Sequence, residues 1–296
     1  MKKILSVIAL VTVLLLAACG GDNENEITVG AKSFTESLLL SEMTKMVLED
    51  AGYEVDQRSD MGSNVLREAM ESGQVDFTWD YTGTGLVTYL GEDPVSTAEE
   101  AFEAVREIDE ENGITWMNPT EVNNTYTLMI RQSFAEAEGV ESLSDLADYV
   151  NAGNEPSVAV NDEFSARPDG YGALEEHYDF ELPSANVELM DLGLTYAALR
   201  DEEVDVAMGF STDSRIEQFD LMNLEDDQDF FPDYSAAAVV RTDVLELNED
   251  LADLTEPMAN ALDSETMIEL NYQVDVEERS VQEVAEEFLI DQGIID

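Results

Sequence analysis

Aromatic and basic side chains recur where the strands predicted for this chain end. They are Tyr81, Tyr126, Phe210, Tyr234, Lys32 and Arg167. Aromatic faces around a quaternary ammonium group each contribute about 0.5–2 kcal/mol of cation–π attraction. A lysine and an arginine beside them suit a carboxylate, which an arginine can hold with two parallel hydrogen bonds. The set predicts a binding site for a compact zwitterion, with core packing as the alternative for each ring taken alone.

Residue patterns of catalytic sites are missing from this sequence. It has one histidine, His177, and one cysteine, Cys19, so no histidine–cysteine cluster can hold a metal ion. No phosphate loop, dinucleotide-binding glycine pattern or Gly-x-Ser-x-Gly motif is present. We therefore expect no enzyme, no cofactor and no metal site. A secreted acidic hydrolase is the alternative from another class, because carboxylate pairs are abundant.

The charge balance excludes one further class of protein. The chain carries 13 Lys+Arg against 68 Asp+Glu, a formal net charge of -55, whereas nucleic-acid binding needs a basic surface. Hydrophobic residues make up 44% of the chain and follow regular patterns, which argues against disorder. The acidic residues predict a solvated, salt-tolerant surface and a halophilic or salt-challenged organism, since salt screens the self-repulsion.

The N-terminus predicts export from the cytoplasm. A short basic start, Met1-Lys2-Lys3, precedes the apolar run ILSVIALVTVLLLAA and then Cys19. The residues LAAC at 16–19 are similar to the bacterial lipobox. We expect a lipoprotein signal peptide at 1–18, lipidation of Cys19, and a tether at 19–26 that holds the protein to the outer face of the cell membrane by its lipid alone. An ordinary secretory signal and an N-terminal membrane anchor are the alternatives.

Apolar periodicity predicts alternating strands and helices. Strands at 27–31, 53–57 and 75–79 are separated by helices, one beginning after residue 35 and one at 64–71. A β-α-β-α-β order predicts a parallel sheet covered by helices. Ligands of such sheets bind beyond the carboxyl ends of the strands. The aromatic residue Tyr81 follows the third strand at that place.

The residue spacing before Tyr81 is repeated later in the chain. The segment 69–76 is matched in spacing by 198–205, and an aromatic with a following hydroxyl comes six residues after each valine, as Tyr81-Thr82 and as Phe210-Ser211. This repeat predicts two similar α/β lobes that each present an aromatic side chain at a strand end.

The order of the predicted elements also indicates how the chain is divided. We expect lobe 1 to comprise 27–125 and 236–296, and lobe 2 to comprise 126–235. Two crossings between the lobes would form a hinge and a cleft.

Five short motifs carry a family resemblance. They are VGAKSFTE at 29–36, DYTGT at 80–84, SARPDG at 165–170, STDSR at 211–215 and LNY at 270–272. In this order they resemble the glycine betaine/carnitine/choline-binding proteins of osmoprotectant ABC transporters. The resemblance implies a type II periplasmic-binding-protein fold and a monomer. It also implies capture of a quaternary-ammonium solute and its delivery to a membrane permease that a separate ATPase energises. A receptor for another small zwitterion, such as an amino acid or proline betaine, is the alternative.

The same resemblance assigns roles to individual residues. It places the ammonium cage on Tyr81, Tyr126, Phe210 and Tyr234, the carboxylate or polar partners on Lys32, Thr84 and Arg167, and support of the closed state on Glu163. Related archaeal proteins have tyrosine where this chain has Phe210, which keeps the aromatic face and lacks the hydroxyl. A backbone carbonyl within 123–125 is the expected ligand contact before Tyr126.

Overall fold

The computed structural model describes residues 25–95 and 97–296. The predicted signal peptide at 1–18, the lipidation site Cys19 and most of the tether at 19–26 lie outside these residues. Those three expectations therefore stay predictions.

Strands and helices alternate along most of the described chain. The strands are β1 (Glu26–Lys32), β2 (Glu54–Met61), β3 (Phe77–Tyr81), β4 (Ile114–Asn123), β5 (Tyr126–Arg131), β6 (Val158–Val160), β7 (Val187–Leu189), β8 (Val206–Phe210), β9 (Leu221–Asn223) and β10 (Ser235–Arg241). The helices are α1 (Thr35–Asp50), α2 (Ser63–Glu71), α3 (Ala98–Asp109), α4 (Gln132–Glu138), α5 (Leu143–Asn151), α6 (Asp162–Ala166), α7 (Tyr171–His177), α8 (Leu192–Arg200), α9 (Arg215–Gln218), α10 (Thr242–Leu247), α11 (Leu251–Asn260), α12 (Ser264–Asp275) and α13 (Val281–Asp291). A π-helix covers Thr84–Leu90, and 3₁₀ turns cover Glu110–Asn112 and Ser184–Asn186.

The first sheet has the strand order β2-β1-β3-β10-β4. Strand β1 runs parallel to both β2 and β3, as the β-α-β-α-β pattern predicts. Strand β10 is antiparallel to β3 and β4, so the sheet is mixed and not wholly parallel. All five residues of β3 are buried, as is typical of a central strand whose two faces are both covered.

The second sheet repeats this arrangement in the order β7-β6-β8-β5-β9. Strand β6 runs parallel to β7 and β8, and β5 is antiparallel to β8 and β9. Strands β3 and β8 therefore occupy equivalent central places, and each comes after a helix, α2 and α8 respectively. The predicted repeat of a helix–turn–strand unit is confirmed.

Each sheet and its helices form one lobe, and the chain passes between the two sheets twice. The first crossing lies between Asn123 and Tyr126, and the second lies between Asn223 and Ser235. Helices α11, α12 and α13 follow the second crossing and pack on α1 beside the first sheet. No helix within residues 25–95 and 97–296 is long and apolar enough to cross a membrane.

Candidate functional site

A cavity of about 520 Å³ lies between the two lobes. The ends of β1, β3 and β8 and the start of β5 all meet at it, as expected for an open α/β sheet. The predicted site residues that line it are Lys32, Tyr81, Thr84, Tyr126, Glu163, Phe210 and Tyr234. Arg167 is buried beside this lining, behind two of the aromatic rings.

Five aromatic rings form a continuous arc in this cavity. Along the arc, ring centroids are 6.1 Å apart from Tyr81 to Phe34 and 5.1 Å apart from Phe34 to Phe210. The next two steps measure 5.0 Å from Phe210 to Tyr126 and 5.5 Å from Tyr126 to Tyr234. Phe34 is an addition to the four predicted rings. The arc offers several π-faces to one bound cation.

Two tyrosine hydroxyls of the arc, those of Tyr81 and Tyr234, are fixed by buried hydrogen bonds. Burial is the main cause that raises the pKa of Tyr81, Tyr126 and Tyr234, so these phenols stay protonated at neutral pH. The Tyr81 hydroxyl donates to Glu36 at 2.6 Å, and the Tyr234 hydroxyl donates to Asp169 at 2.6 Å. Both rings are therefore held in place by their hydroxyl groups, and a ligand would contact their faces.

Lys32 ends strand β1 with its ammonium group paired to a buried carboxylate. Its Nζ lies 2.7 Å from Oδ1 of Asp80 and 5.2 Å from the centroid of the Tyr81 ring. Asp80 also accepts hydrogen bonds from the Tyr81 backbone N–H and from the Tyr89 hydroxyl, each at 2.8 Å. These bonds satisfy the buried carboxylate and place one ammonium group at the cavity wall.

Arg167 makes its two-pronged contact inside the protein. Its Nε and Nη2 donate to the two oxygens of Asp169 at 2.8 and 2.6 Å. Nη1 donates to Thr84 at 3.2 Å, and Nη2 also donates to the Tyr234 hydroxyl at 3.3 Å. The guanidinium carbon is 5.1 Å from the Tyr126 centroid and 5.6 Å from the Tyr234 centroid. The two guanidinium donors predicted to hold a ligand carboxylate are therefore occupied by Asp169.

Glu163 joins the two lobes at the cavity. Its Oε1 accepts a 2.6 Å hydrogen bond from the Ser63 hydroxyl, which begins α2 in lobe 1, and lies 3.6 Å from Nη1 of Arg167. Burial raises the pKa of Glu163, but the charge of Lys32, the Ser63 hydrogen bond and the charge of Arg167 together hold it below its ordinary value. Glu163 is thus an ionised link between the lobes.

The turn after Tyr81 requires its glycine. Strand β3 ends at Tyr81, and the chain enters the π-helix three residues later. A Cβ on Gly83 would lie 2.7 Å from the carbonyl oxygen of Asp233 and 2.8 Å from the Tyr234 ring. Glycine therefore allows the end of β3 to approach the segment that carries Tyr234, which brings two rings of the arc to one cavity.

The residues predicted from the sequence do not include Phe34, Glu36, Asp80 and Asp169, which also lie at the site. All four fall within the motifs that carry the family resemblance, and this position was the one signal in the sequence that could have identified them. The carboxylates were otherwise hidden among 68 acidic residues. Within the described part of the chain, no group of three or more His, Cys, Asp or Glu side chains is arranged to hold a metal ion.

Comparison with known proteins places the whole fold in a family. Residues 25–291 match the family described as the substrate binding domain of ABC-type glycine betaine transport systems. The chain belongs to this family. Its members are extracytoplasmic transport substrate-binding proteins with the type II periplasmic-binding-protein fold, so the predicted fold class and family are confirmed. They are not enzymes, and the hydrolase alternative is wrong.

Individual relatives match over nearly their full lengths. The chain is 36% identical over 287 residues to the glycine-betaine-binding protein of Pseudomonas aeruginosa, covering 95% of this chain and 92% of that protein. It is 35% identical over 303 residues to the carnitine transport binding protein OpuCC of Listeria monocytogenes, covering 98% and 97%. A crystal structure described as a glycine betaine/carnitine/choline ABC transporter superposes with a TM-score of 0.73 at 29% identity, covering 91% of this chain and 100% of that one.

Proposed function

We propose that this protein captures a quaternary-ammonium compatible solute outside the cell and delivers it to an ABC permease that a separate ATPase energises. The observation that carries the proposal is the arc of five aromatic rings with an ammonium and a guanidinium group beside it. Lipidation of Cys19 would tether the protein to the outer face of the membrane as a monomer. Glycine betaine, carnitine and choline are the candidate ligands, and other small zwitterions such as an amino acid or proline betaine are the alternative.

The arrangement of charges supports one orientation of a bound zwitterion. A trimethylammonium group fits the arc, because it donates no strong hydrogen bond and is selected by shape and π-faces. The carboxylate fits the side of Lys32 and Thr84, which both line the cavity. Arg167 then contributes from behind the rings, since Asp169 occupies its fork.

The lobe division and the closing contact belong to the same proposal. We assign 27–125 and 236–296 to lobe 1 and 126–235 to lobe 2, with closure about the two crossings. The Ser63–Glu163 hydrogen bond supports a role for Glu163 in holding the lobes together around the ligand.

Titration calorimetry with glycine betaine, carnitine, choline and proline tests the function. We expect binding of at least one trimethylammonium compound and much weaker binding of proline. A neutral analogue of choline, 3,3-dimethylbutan-1-ol, should bind more weakly than choline, because it fills the same space without the cation. Absence of binding by every trimethylammonium compound would overturn the proposal, and equal binding of choline and its neutral analogue would remove the cation–π basis.

Phe210→Leu should weaken binding of choline and glycine betaine by about 0.5–2 kcal/mol each, because leucine keeps apolar contact and removes one π-face. Phe210 is half-buried, so its replacement disturbs the core less than replacement of Tyr126 or Tyr234. Phe210→Tyr is the matched control, since it keeps the face and should preserve affinity. Equal dissociation constants for wild type and Phe210→Leu would show that this ring only packs.

A further inference from the structure

Glu36 is a buried carboxylate that stands behind the cavity without lining it. It lies in the first turn of α1 and is 2% exposed. The hydroxyl of Tyr81 donates to its Oε1 at 2.6 Å, and the Nδ2 of Asn124 donates to the same oxygen at 2.9 Å. The Thr212 hydroxyl donates to its Oε2 at 2.7 Å.

The three donors come from three different parts of the molecule. Tyr81 ends β3 in lobe 1, Asn124 lies in the first crossing, and Thr212 follows Phe210 in lobe 2. Asn271 of α12 strengthens the same junction by donating its side-chain amide to the Thr212 carbonyl at 3.1 Å. One carboxylate thus connects an aromatic wall of the cavity, the hinge and the opposite lobe.

Hydrogen bonds rather than ion pairs hold Glu36. Burial raises its pKa, and the bonds from Tyr81, Thr212 and Asn124 oppose that shift. The strongest influences that oppose burial at Glu36 are side-chain hydrogen bonds and not the charge of a lysine or arginine. Its position in the first turn of a 16-residue helix favours a carboxylate further, because the helix N-terminus carries partial positive charge.

We propose that Glu36 is a positioning residue that couples the orientation of the Tyr81 ring to the approach of the two lobes. When Thr212 reaches Glu36, the carboxylate that fixes the Tyr81 hydroxyl also gains its partner from lobe 2. Ring placement and lobe closure therefore stabilise each other through one shared acceptor. This inference rests on the proposed function, in which Tyr81 is a wall of the ligand site.

The test uses Glu36→Gln, Tyr81→Phe, the double variant and Thr212→Val in the full mature protein. Glu49→Gln is the control, because Glu49 is an exposed glutamate on the same helix. We expect Glu36→Gln and Thr212→Val each to weaken choline and glycine betaine binding at least tenfold, mainly through faster dissociation in stopped-flow measurements. Glu49→Gln should bind as the wild type does.

The double variant distinguishes positioning from general destabilisation. In the Tyr81→Phe background, Glu36→Gln should weaken binding less than it does in the wild type, because one of the two hydrogen bonds that it perturbs is already absent. Strictly additive losses, or an unchanged dissociation constant with a lowered unfolding temperature, would overturn the coupling. If Glu36→Gln does not fold, Thr212→Val still tests the link between Glu36 and lobe 2.

A measurement without ligand separates this inference from the proposed function. Amide hydrogen exchange at 211–213 in the ligand-free protein should be faster in Glu36→Gln than in wild type and Glu49→Gln, because the link to lobe 2 is weakened. Faster exchange with no ligand binding by the wild type would refute the proposed function alone. Unchanged exchange would refute the link between Glu36 and lobe 2, whatever the protein binds.

Discussion

Arg167→Ala should lower the free energy of unfolding by about 3–5 kcal/mol, because it leaves Asp169 as a buried carboxylate without its cation. The side chains of Arg167 and Asp169 are 2% and 7% exposed, so solvent cannot compensate for the lost partner. Tyr126 and Tyr234 also lose the guanidinium group that lies over their rings. Binding of choline and glycine betaine should therefore fall together.

Thermal unfolding and calorimetry on the same samples check this result. A midpoint lower by about 6–20 °C corresponds to the expected loss of stability. Arg167→Ala/Asp169→Ala should recover part of the loss, because it removes the unpaired charge as well. Arg58→Ala, at an exposed pair with Asp56, should leave the midpoint nearly unchanged. A normal midpoint with selective loss of glycine betaine binding would instead make Arg167 a direct carboxylate ligand.

Lys32→Gln should weaken glycine betaine relative to choline by about 10–100-fold, the value of a hydrogen bond to a charged group. Lys32 lines the cavity, so its ammonium group is within reach of a ligand carboxylate there. Without it, the nearby Asp80 carboxylate repels the carboxylate of glycine betaine. Choline carries no carboxylate and escapes that repulsion.

The measured quantity is the ratio of the two dissociation constants, in which a general loss of stability cancels. Lys32→Gln/Asp80→Asn should bring the ratio back towards that of the wild type, because it removes the uncompensated negative charge. Lys45→Gln, on the outer part of α1, is the control for removal of a lysine elsewhere. A ratio that does not move in Lys32→Gln would remove Lys32 from the carboxylate end.

The sequence predicts the fold well where the repeated pattern is strong. The spacing that leads to Tyr81 and to Phe210 reflects two equivalent central strands, β3 and β8, and the register pairs Phe210 directly with Tyr126. The antiparallel return of β10 could not be read from local periodicity, because the partner strands β3 and β4 lie more than a hundred residues earlier. Long-range pairing of this kind leaves no local signal in the chain.

The site was predictable in its rings and less so in its charges. Strand ends identify Tyr81 and Phe210, because parallel strands expose their carboxyl ends at one edge. Apart from their position within the family motifs, Asp80 and Asp169 have no distinguishing feature in so acidic a sequence, although they decide what Lys32 and Arg167 can contact. The sequence identifies which side chains carry a positive charge. Which of their hydrogen-bond donors remain free for a ligand depends on neighbours that only the folded structure reveals.

The arc of rings is divided between the lobes, and this division has a consequence for affinity. Phe34 and Tyr81 belong to one sheet and its helix, whereas Phe210 and Tyr126 belong to the other. Under the proposed closure, a ligand meets the full arc only in the fraction of molecules whose lobes have come together. The observed dissociation constant is therefore the intrinsic one divided by that fraction. Substitutions at the crossings, far from any ligand atom, can raise or lower affinity by changing this fraction alone.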